Sequence, residues 1–281
     1  MRMPFQIDLT GKVVLITGVS SGIGLGTAHE FARAGACVAG CARKPESDDS
    51  VSAFLQAVEG EGCKALYVQA DVTQEEELEK LRRTAPEQVC AQVLDVTHED
   101  APYLLKQLID ELGGMDLFLL SSGIGKQNLS LTLDIELQTA ATNVEGFIRM
   151  VTAAYHYFEQ QGHGHLAVIS SIAGTKGLGS APAYSATKRF QNTYIEALDQ
   201  LAHINRLPIV FTDIRPGFVA TPLLKDDKYP LLMNVSAVAA HIINALNKKK
   251  RTVIIDRRYQ VLVFFWRLIP KWLWVKLPVK N

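Results

Sequence analysis

Lys12-Val13-Val14-Leu15-Ile16-Thr17-Gly18-Val19-Ser20-Ser21-Gly22-Ile23-Gly24 passes from a short β-branched run into a glycine-rich turn, and residues 25 to 34 continue with helical periodicity. A strand, a tight turn and a helix in that order aim backbone N–H groups and the positive end of a helix at one point, which is how a dinucleotide pyrophosphate is held. Glycines at 18, 22 and 24 allow a close approach that side chains would block. The spacing is Gly-x-x-x-Gly-x-Gly, not the more widespread Gly-x-Gly-x-x-Gly. No Gly-Lys-Ser/Thr follows, so it is not a triphosphate loop.

Outward from this turn, a second strand is predicted over 36–42 and ends in Arg43-Lys44. An acidic residue there would accept ribose hydroxyls, whereas arginine pairs with a 2′-phosphate, so the expected cofactor is NADP rather than NAD. A helix is predicted over 48–61 and a strand over 64–70, leading into Asp71-Val72-Thr73. A helix over 74–84 and a strand over 89–94 then lead into Asp95-Val96-Thr97, so one helix-strand unit is present twice. A single extra unit implies an insertion, a duplication or a fusion, and not a solenoid.

The remaining pattern is regular. Further expected elements are a helix to about Gly113, a strand over 115–120 ending in Ser121-Ser122-Gly123, a long helix over 134–160, strands over 166–170 and 209–214, and a helix over 184–204. Strands alternating with helices imply a Rossmann-like, doubly wound parallel sheet in three layers, with ligands bound beyond the carboxyl ends of the strands. Gly18, Gly123, Ser171 and Pro216 all fall at or just past such ends. We expect one domain over 1–255 and an amphipathic tail over 256–281.

Tyr184-Ser185-Ala186-Thr187-Lys188 opens the last of these long helices. The i, i+4 spacing puts the phenol and the ammonium on one face, with Cβ atoms about 5 to 6 Å apart. A phenol titrates near ~10 and becomes a usable base at neutral pH only if a neighbouring positive charge lowers that value. The spacing alone recurs by chance on amphipathic helices; its place downstream of Ser171 and of the glycine-rich turn is what gives it meaning.

Taken together these residues resemble the short-chain dehydrogenase/reductase family over nearly the whole chain. Thr17 to Gly24 is similar to its cofactor loop, Asn143 to its helix asparagine, Ser171 to its active-site serine, Tyr184 and Lys188 to its Tyr-x-x-x-Lys pair, and Pro216-Gly217 with Thr221 to its nicotinamide turn. Ser171 precedes Tyr184 by 13 positions, the family's usual interval. The resemblance implies that Tyr184 is the general acid/base, that Lys188 lowers its pKa and binds the nicotinamide ribose, that Ser171 holds the substrate oxygen, and that Asn143 anchors a water. It further implies cofactor contacts from Gly18, Ser20, Ser21, Gly22, Ile23, Gly24, Arg43, Lys44, Ser122, Gly123, Val219 and Thr221. Two departures stand out. The family's Asn-Asn-Ala-Gly is Leu120-Ser121-Ser122-Gly123 here, and the repeated Asp-Val-Thr leaves both Asp71 and Asp95 as the aspartate beside adenine.

Composition sets outer bounds. Lys plus Arg and Asp plus Glu are both 29, which argues against nucleic acid as a partner. The balance hides an asymmetry: residues 248–281 carry ten basic residues and one acidic residue, +9 net, so the first 247 residues carry −9. Four irregularly spaced cysteines fit a reducing, cytoplasmic compartment, and neither they nor His163 and His165 form a metal motif. No signal peptide or spanning segment is expected. All three tryptophans lie between 266 and 274 among Arg267, Lys271 and Lys276, a composition suited to a membrane surface or, alternatively, to folding back over the substrate cleft or an oligomer contact. Pro270 should split this tail into two short pieces. The expected activity is NADP-dependent interconversion of a secondary alcohol and a ketone on a hydrophobic substrate such as a steroid or lipid. Reduction of a 3-ketoacyl thioester, or a non-catalytic NADP-binding scaffold, are the alternatives. By the same resemblance a homodimer or homotetramer is expected.

Overall fold

In the computed structural model, residues 13–17, 22–35, 37–42, 49–62, 65–69, 95–111, 114–221 and 229–279 are described. Their strands form two hydrogen-bonded sets, β1 (Val13–Thr17), β2 (Cys37–Ala42) and β3 (Ala65–Gln69) in one, and β4 (Leu117–Leu120), β5 (Gly164–Ile169), β6 (Ile209–Arg215) and β7 (Thr252–Ile254) in the other. Every pairing is parallel. Parallel neighbours need crossovers, supplied here by α1 (Gly22–Arg33), α2 (Asp49–Glu59), α3 (Ala101–Glu111), α4 (Leu133–Ala140), α5 (Phe147–Gln161), α6 (Pro182–Ile204) and α7 (Val235–Asn247). The result is a Rossmann-like α/β fold.

Alternation along the strands shows why helices cover both faces. Leu166 and Val168 of β5 and Ile209 and Phe211 of β6 pack into one cluster with Ala101, Leu105 and Ile109 of α3 and with Met150, Ala154 and Phe158 of α5. Their strand neighbours Ala167 and Ile214 point the other way, against Val238, Ile242 and Leu246 of α7. Strands buried on both faces read as the continuous apolar runs seen in the sequence. The first sheet joins the second through helices: Gly26 of α1 lies so close to α7 that a Cβ there would come within 2.7 Å of Val235 Cγ1.

Most element boundaries lie close to expectation, and the differences have local causes. α1 starts at Gly22, so Gly22, Ile23 and Gly24 already belong to the helix. β4 starts at Leu117 instead of Met115, since the Met115 N–H donates to Tyr157 Oη (3.1 Å) and its carbonyl accepts from Gln161 Nε2 (2.9 Å), leaving no ladder partner to make. The long helix expected over 134–160 is not uniform: α4 and α5 are joined by a π-helical turn, Ala141–Gly146, that contains Asn143. α5 ends at Gly162 in the left-handed region, with its N–H donating to Phe158 O at 2.9 Å.

The doubled unit divides in an instructive way. The strand ahead of the first Asp-Val-Thr is β3, paired to β2, while the second Asp-Val-Thr leads into α3. Val96 is buried against the π-helical turn, where a Cβ on Gly146 would meet Val96 Cγ2 at 2.7 Å. The helix and strand expected over 74–94 lie outside the described residues, as does Asp71.

The tail forms α8 (Arg257–Leu268) and α9 (Lys271–Trp274), separated at Pro270 as the sequence predicts. Asp256, at φ 72°, caps α8 by accepting from the Arg258 N–H at 2.8 Å. Tyr259 and Val263 of α8 are buried in the same cluster as Ile214 and α7. The first turns of the tail are therefore part of a shared core, and the tail does not hang from the body as a free appendage.

Candidate active site

Four elements converge beyond the carboxyl ends of β4, β5 and β6. From β5 the chain passes through Ser170 and Ser171 into a 3-10 turn, Ile172–Thr175, that Ser171 caps by accepting from the Ala173 N–H at 3.1 Å. The Ser171 hydroxyl also donates to Pro216 O at 3.4 Å, which ties it to the turn after β6. α6 then starts at Pro182, where proline's missing N–H costs nothing, and presents Tyr184 in its first turn and Lys188 one turn later. Glu136 fixes that start: one carboxylate oxygen accepts from the Ala183 N–H (2.9 Å) and the other from Asn128 Nδ2 (2.8 Å).

Asn143 forms the floor of the cleft. It is fully buried, and its side chain clamps Ile124 at both backbone groups, accepting from the N–H (2.9 Å) and donating to the carbonyl (2.7 Å). This fixes the loop after β4, in which Gly123 leaves just enough room; a Cβ there would sit 3.2 Å from Lys188 Nζ and 3.3 Å from Asn143 Oδ1. Gly125 is tighter still, since a Cβ would lie 2.5 Å from the Tyr184 ring. A π-helical turn widens the helix by one residue, a distortion that recurs at functional sites, and here it contains Asn143.

Lys188 is buried, with Nζ donating to Ile169 O (3.1 Å) and to Gln191 Oε1 (3.0 Å). Burial lowers its pKa to about 8, and the Asp213 carboxylate opposes part of that shift. Asp213 in turn takes hydrogen bonds from the Ser170 hydroxyl and from Arg215 Nε (2.7 Å). The Gln191 amide completes the floor by donating to the Asn143 backbone carbonyl at 2.9 Å, so one side chain links the lysine to the asparagine. Thr187 joins the group through its hydroxyl, 3.1 Å from Asn143 Nδ2.

The phenol behaves differently from the expectation that Lys188 lowers its pKa. Crowding around Tyr184 pushes the phenol above its ordinary value, and the hydrogen bond from Ser171 pulls partly against this. The ammonium lies 5.9 Å from the ring centroid and spends its hydrogen bonds on Ile169 and Gln191. In this geometry Tyr184 is a proton donor at neutral pH.

Of the other expected site residues, Val219 is buried and Pro216 and Gly217 adjoin Ser171. Gly217 owes its size to the tail: a Cβ there would overlap the Tyr259 ring. Thr221 donates its N–H to Val219 O at 2.7 Å. Ser122 is exposed. Asp95 is also exposed, and its carboxylate, held below the usual range by the Thr97 backbone and hydroxyl, accepts both at 2.8 and 2.7 Å. Gly22, Ile23 and Gly24 form the first turn of α1. Gly18, Ser20, Ser21, Arg43 and Lys44 lie outside the described residues. Gln191, Thr187 and Glu136 belong to no spacing motif; the one trace of the first two in the sequence is that polar residues share a helix with Tyr184 and Lys188. Among the described residues no three histidine, cysteine or acidic side chains gather as a metal site.

A buried lysine and a protonated phenol beside a serine at the ends of parallel strands suit a nicotinamide-dependent oxidoreductase, and Gly123 and Gly125 leave the room that the Lys188, Asn143 and Tyr184 side chains occupy. The comparisons agree. The short chain dehydrogenase family model matches residues 12–96 and again 83–230. The chain belongs to that family and is an NAD(P)-dependent dehydrogenase/reductase. It is 30% identical over 277 residues to an uncharacterized oxidoreductase of Mycobacterium tuberculosis, covering 96% of each chain. A short-chain type dehydrogenase/reductase from Mycobacterium marinum superposes with a TM-score of 0.61 at 25% identity, over 90% of this chain and 97% of that one. The fold is also shared with a 7α-hydroxysteroid dehydrogenase solved with NADH and 7-oxo glycochenodeoxycholic acid, at a TM-score of 0.61, 19% identity, and 91% and 96% coverage.

Proposed function

We propose that the protein reduces the ketone of a hydrophobic substrate to a secondary alcohol, and catalyses the reverse oxidation, with NADP as its cofactor. The convergence of Ser171, Tyr184, Lys188 and Asn143 on one cleft carries this reading. When bound, the reduced nicotinamide supplies a hydride to the carbonyl carbon. Ser171 donates a hydrogen bond to the carbonyl oxygen and holds it beside the phenol. Tyr184, kept protonated by its surroundings, gives its proton to that oxygen as the alcohol forms. Two of the three Lys188 N–H donors point to Ile169 and Gln191, and the third would be available to a ribose hydroxyl of the cofactor. Lys188 then passes a proton toward Tyr184, and a buried amine poised near pH 8 is suited to that exchange.

The preference for NADP rests on Arg43 and Lys44, and the apolar substrate on the aromatic tail beside the Pro216-Gly217 turn. We place the protein in a cytoplasmic, reducing compartment, peripheral to a membrane, and paired as a homodimer or homotetramer through the helices that carry Asn143 and Tyr184. Leu133 and Leu137 of α4 and Leu201 and Ile204 of α6 are exposed and available for such pairing.

The test is a panel of apolar ketones and secondary alcohols followed by nicotinamide absorbance with NADPH and NADH. Tyr184→Phe should lower turnover by about 10²- to 10⁴-fold while leaving NADPH binding in place. Turnover within severalfold of the parent would remove Tyr184 from the chemistry. Arg43→Asp should weaken NADPH binding far more than NADH binding, and equal weakening would reject the cofactor assignment.

A further inference from the structure

We propose that the outward face of α8, with the segment that follows it, seats the protein on an anionic bilayer surface. The proposal goes beyond the catalytic reading and does not depend on it. α8 has two apolar stripes on opposite sides. Tyr259, Val263 and Trp266 face inward, the first two buried in the core. Val261, Phe264, Phe265 and Leu268 recur at i, i+3, i+4 and i+7 on the far side, and are 56, 61, 61 and 64% exposed. The inward stripe is sufficient to dock the helix, so packing within this chain does not account for the outward one. Past Pro270, Trp272 and Val275 are as open, at 65 and 68%.

Charge selects the occupant. The segment 248–281 carries +9 on a body of −9, and Arg267, Lys271 and Lys276 alternate in sequence with these apolar groups, with Lys276 Nζ 5.9 Å from the Trp272 ring centroid. An anionic lipid surface complements both the charge and the apolar stripe, whereas a second copy stacked face to face would set two strongly basic segments against each other. α8 has 12 residues and ends at Pro270, and among the described residues no helix is long and apolar enough to cross a membrane, so the contact lies on the surface. The tail is also fastened to the active-site side: Lys176 Nζ donates to Ile269 O (2.7 Å) and Trp274 Nε1 to Gly177 O (2.7 Å), in the loop between Ser171 and Tyr184. A protein seated on this face holds that loop at the lipid.

All three tryptophans lie in this segment, so fluorescence excited selectively at tryptophan reports on it alone. The intact chain, without added nicotinamide, is mixed with phosphatidylcholine vesicles containing or lacking 30% phosphatidylserine, with and without bromine on the acyl chains. Expected are co-sedimentation and bromine quenching with the anionic vesicles, at least tenfold weaker with neutral ones and reduced by salt. The triple variant Phe264→Gln, Phe265→Gln, Leu268→Gln should lose both while retaining the parent's circular dichroism and melting temperature, since those side chains face away from the core. The proposal is overturned if anionic vesicles neither pull down nor quench the parent. It is equally overturned if the folded triple variant binds as the parent does, or if that variant abolishes only self-association measured by light scattering without lipid. A second arm reverses charge at Lys271→Glu and Lys276→Glu; undiminished binding to anionic vesicles would discard the electrostatic part and with it the choice of lipid.

Discussion

The floor of the cleft and the wall that the tail builds beside it are held by opposite physics. In the floor, Asn143, Thr187, Lys188 and Gln191 are almost wholly buried, and each is fixed by directional hydrogen bonds to another member or to a strand carbonyl. In the wall, the Tyr259 ring presses on Gly217 where no Cβ would fit, and Val263 and Tyr259 are locked by shape among Ile214, Val219 and Ile242. A buried polar group that loses its partner pays its full desolvation, whereas an apolar contact degrades in proportion to the area lost. The floor therefore couples stability to protonation, and the wall positions the Pro216-Gly217 turn without reference to pH.

The largest expected effect separates the two regions directly. Lys188 titrates at about 8 in the folded chain and at 10.5 when unperturbed. Between those values the unfolded chain holds a proton that the folded chain has released, so stability rises with pH through this window and is flat below it. The gain is about 3 kcal/mol. Denaturant titrations of the protein without nicotinamide, from pH 7 to 10, should show this rise in the parent and not in Lys188→Met. Parallel curves for the two proteins would mean that Lys188 is not buried as described.

The contrast also explains what could be read from the sequence. Chemistry at fixed spacing was legible: Ser171, Tyr184 and Lys188 converge as the 13-residue interval and the i, i+4 pair imply, and the strand ends fall where the βα alternation puts them. The glycine at 217 was legible as a turn, but its partner Tyr259 lies 42 positions later by numbering, and only the packed tail reveals the contact. The π-helical turn around Asn143 left no mark, because Ala141 to Gly146 has ordinary helical composition and the distortion follows from tertiary hydrogen bonds to Ile124 and Gln191. Spacing gives the proximity of Lys188 to Tyr184, but the burial that raises the phenol's pKa comes from tertiary packing that no spacing shows. Both stripes of α8 lie in the sequence within one aromatic, basic run; the inward one packs into the core with Ile214 and α7, and the outward one is exposed.

Gln191 gives a second, intermediate test of the floor. Replacing it with Leu removes an acceptor from the Lys188 ammonium and a donor from the Asn143 carbonyl, at a cost of roughly 1–3 kcal/mol. The loss also has a sign. An ammonium without its acceptor is harder to keep charged, so the Lys188 pKa should fall below about 8, and the rise in stability should begin at lower pH than in the parent. A merely structural role would lower the whole curve without displacing it along the pH axis. Gln191→Glu offers the converse: a carboxylate beside the ammonium should displace the curve toward higher pH.

The smallest effect probes the wall. Tyr259 Oη donates to Pro230 O at 3.0 Å and accepts from the Phe218 N–H at 3.0 Å, while its ring provides the packing against Gly217. Tyr259→Phe keeps the ring and deletes both hydrogen bonds, so it should cost about 1–2 kcal/mol. An ordinary phenol is almost wholly uncharged from pH 6 to 9 and burial only raises this one's pKa, so the cost should be nearly the same across that range. The lost acceptor frees the Phe218 N–H, two residues after Pro216, so KM for an apolar ketone should rise more than kcat falls. If the deficit instead varied with pH over that range, the wall would share the floor's protonation coupling, and the division between a region held by charge and a region held by shape would fail at Gly217.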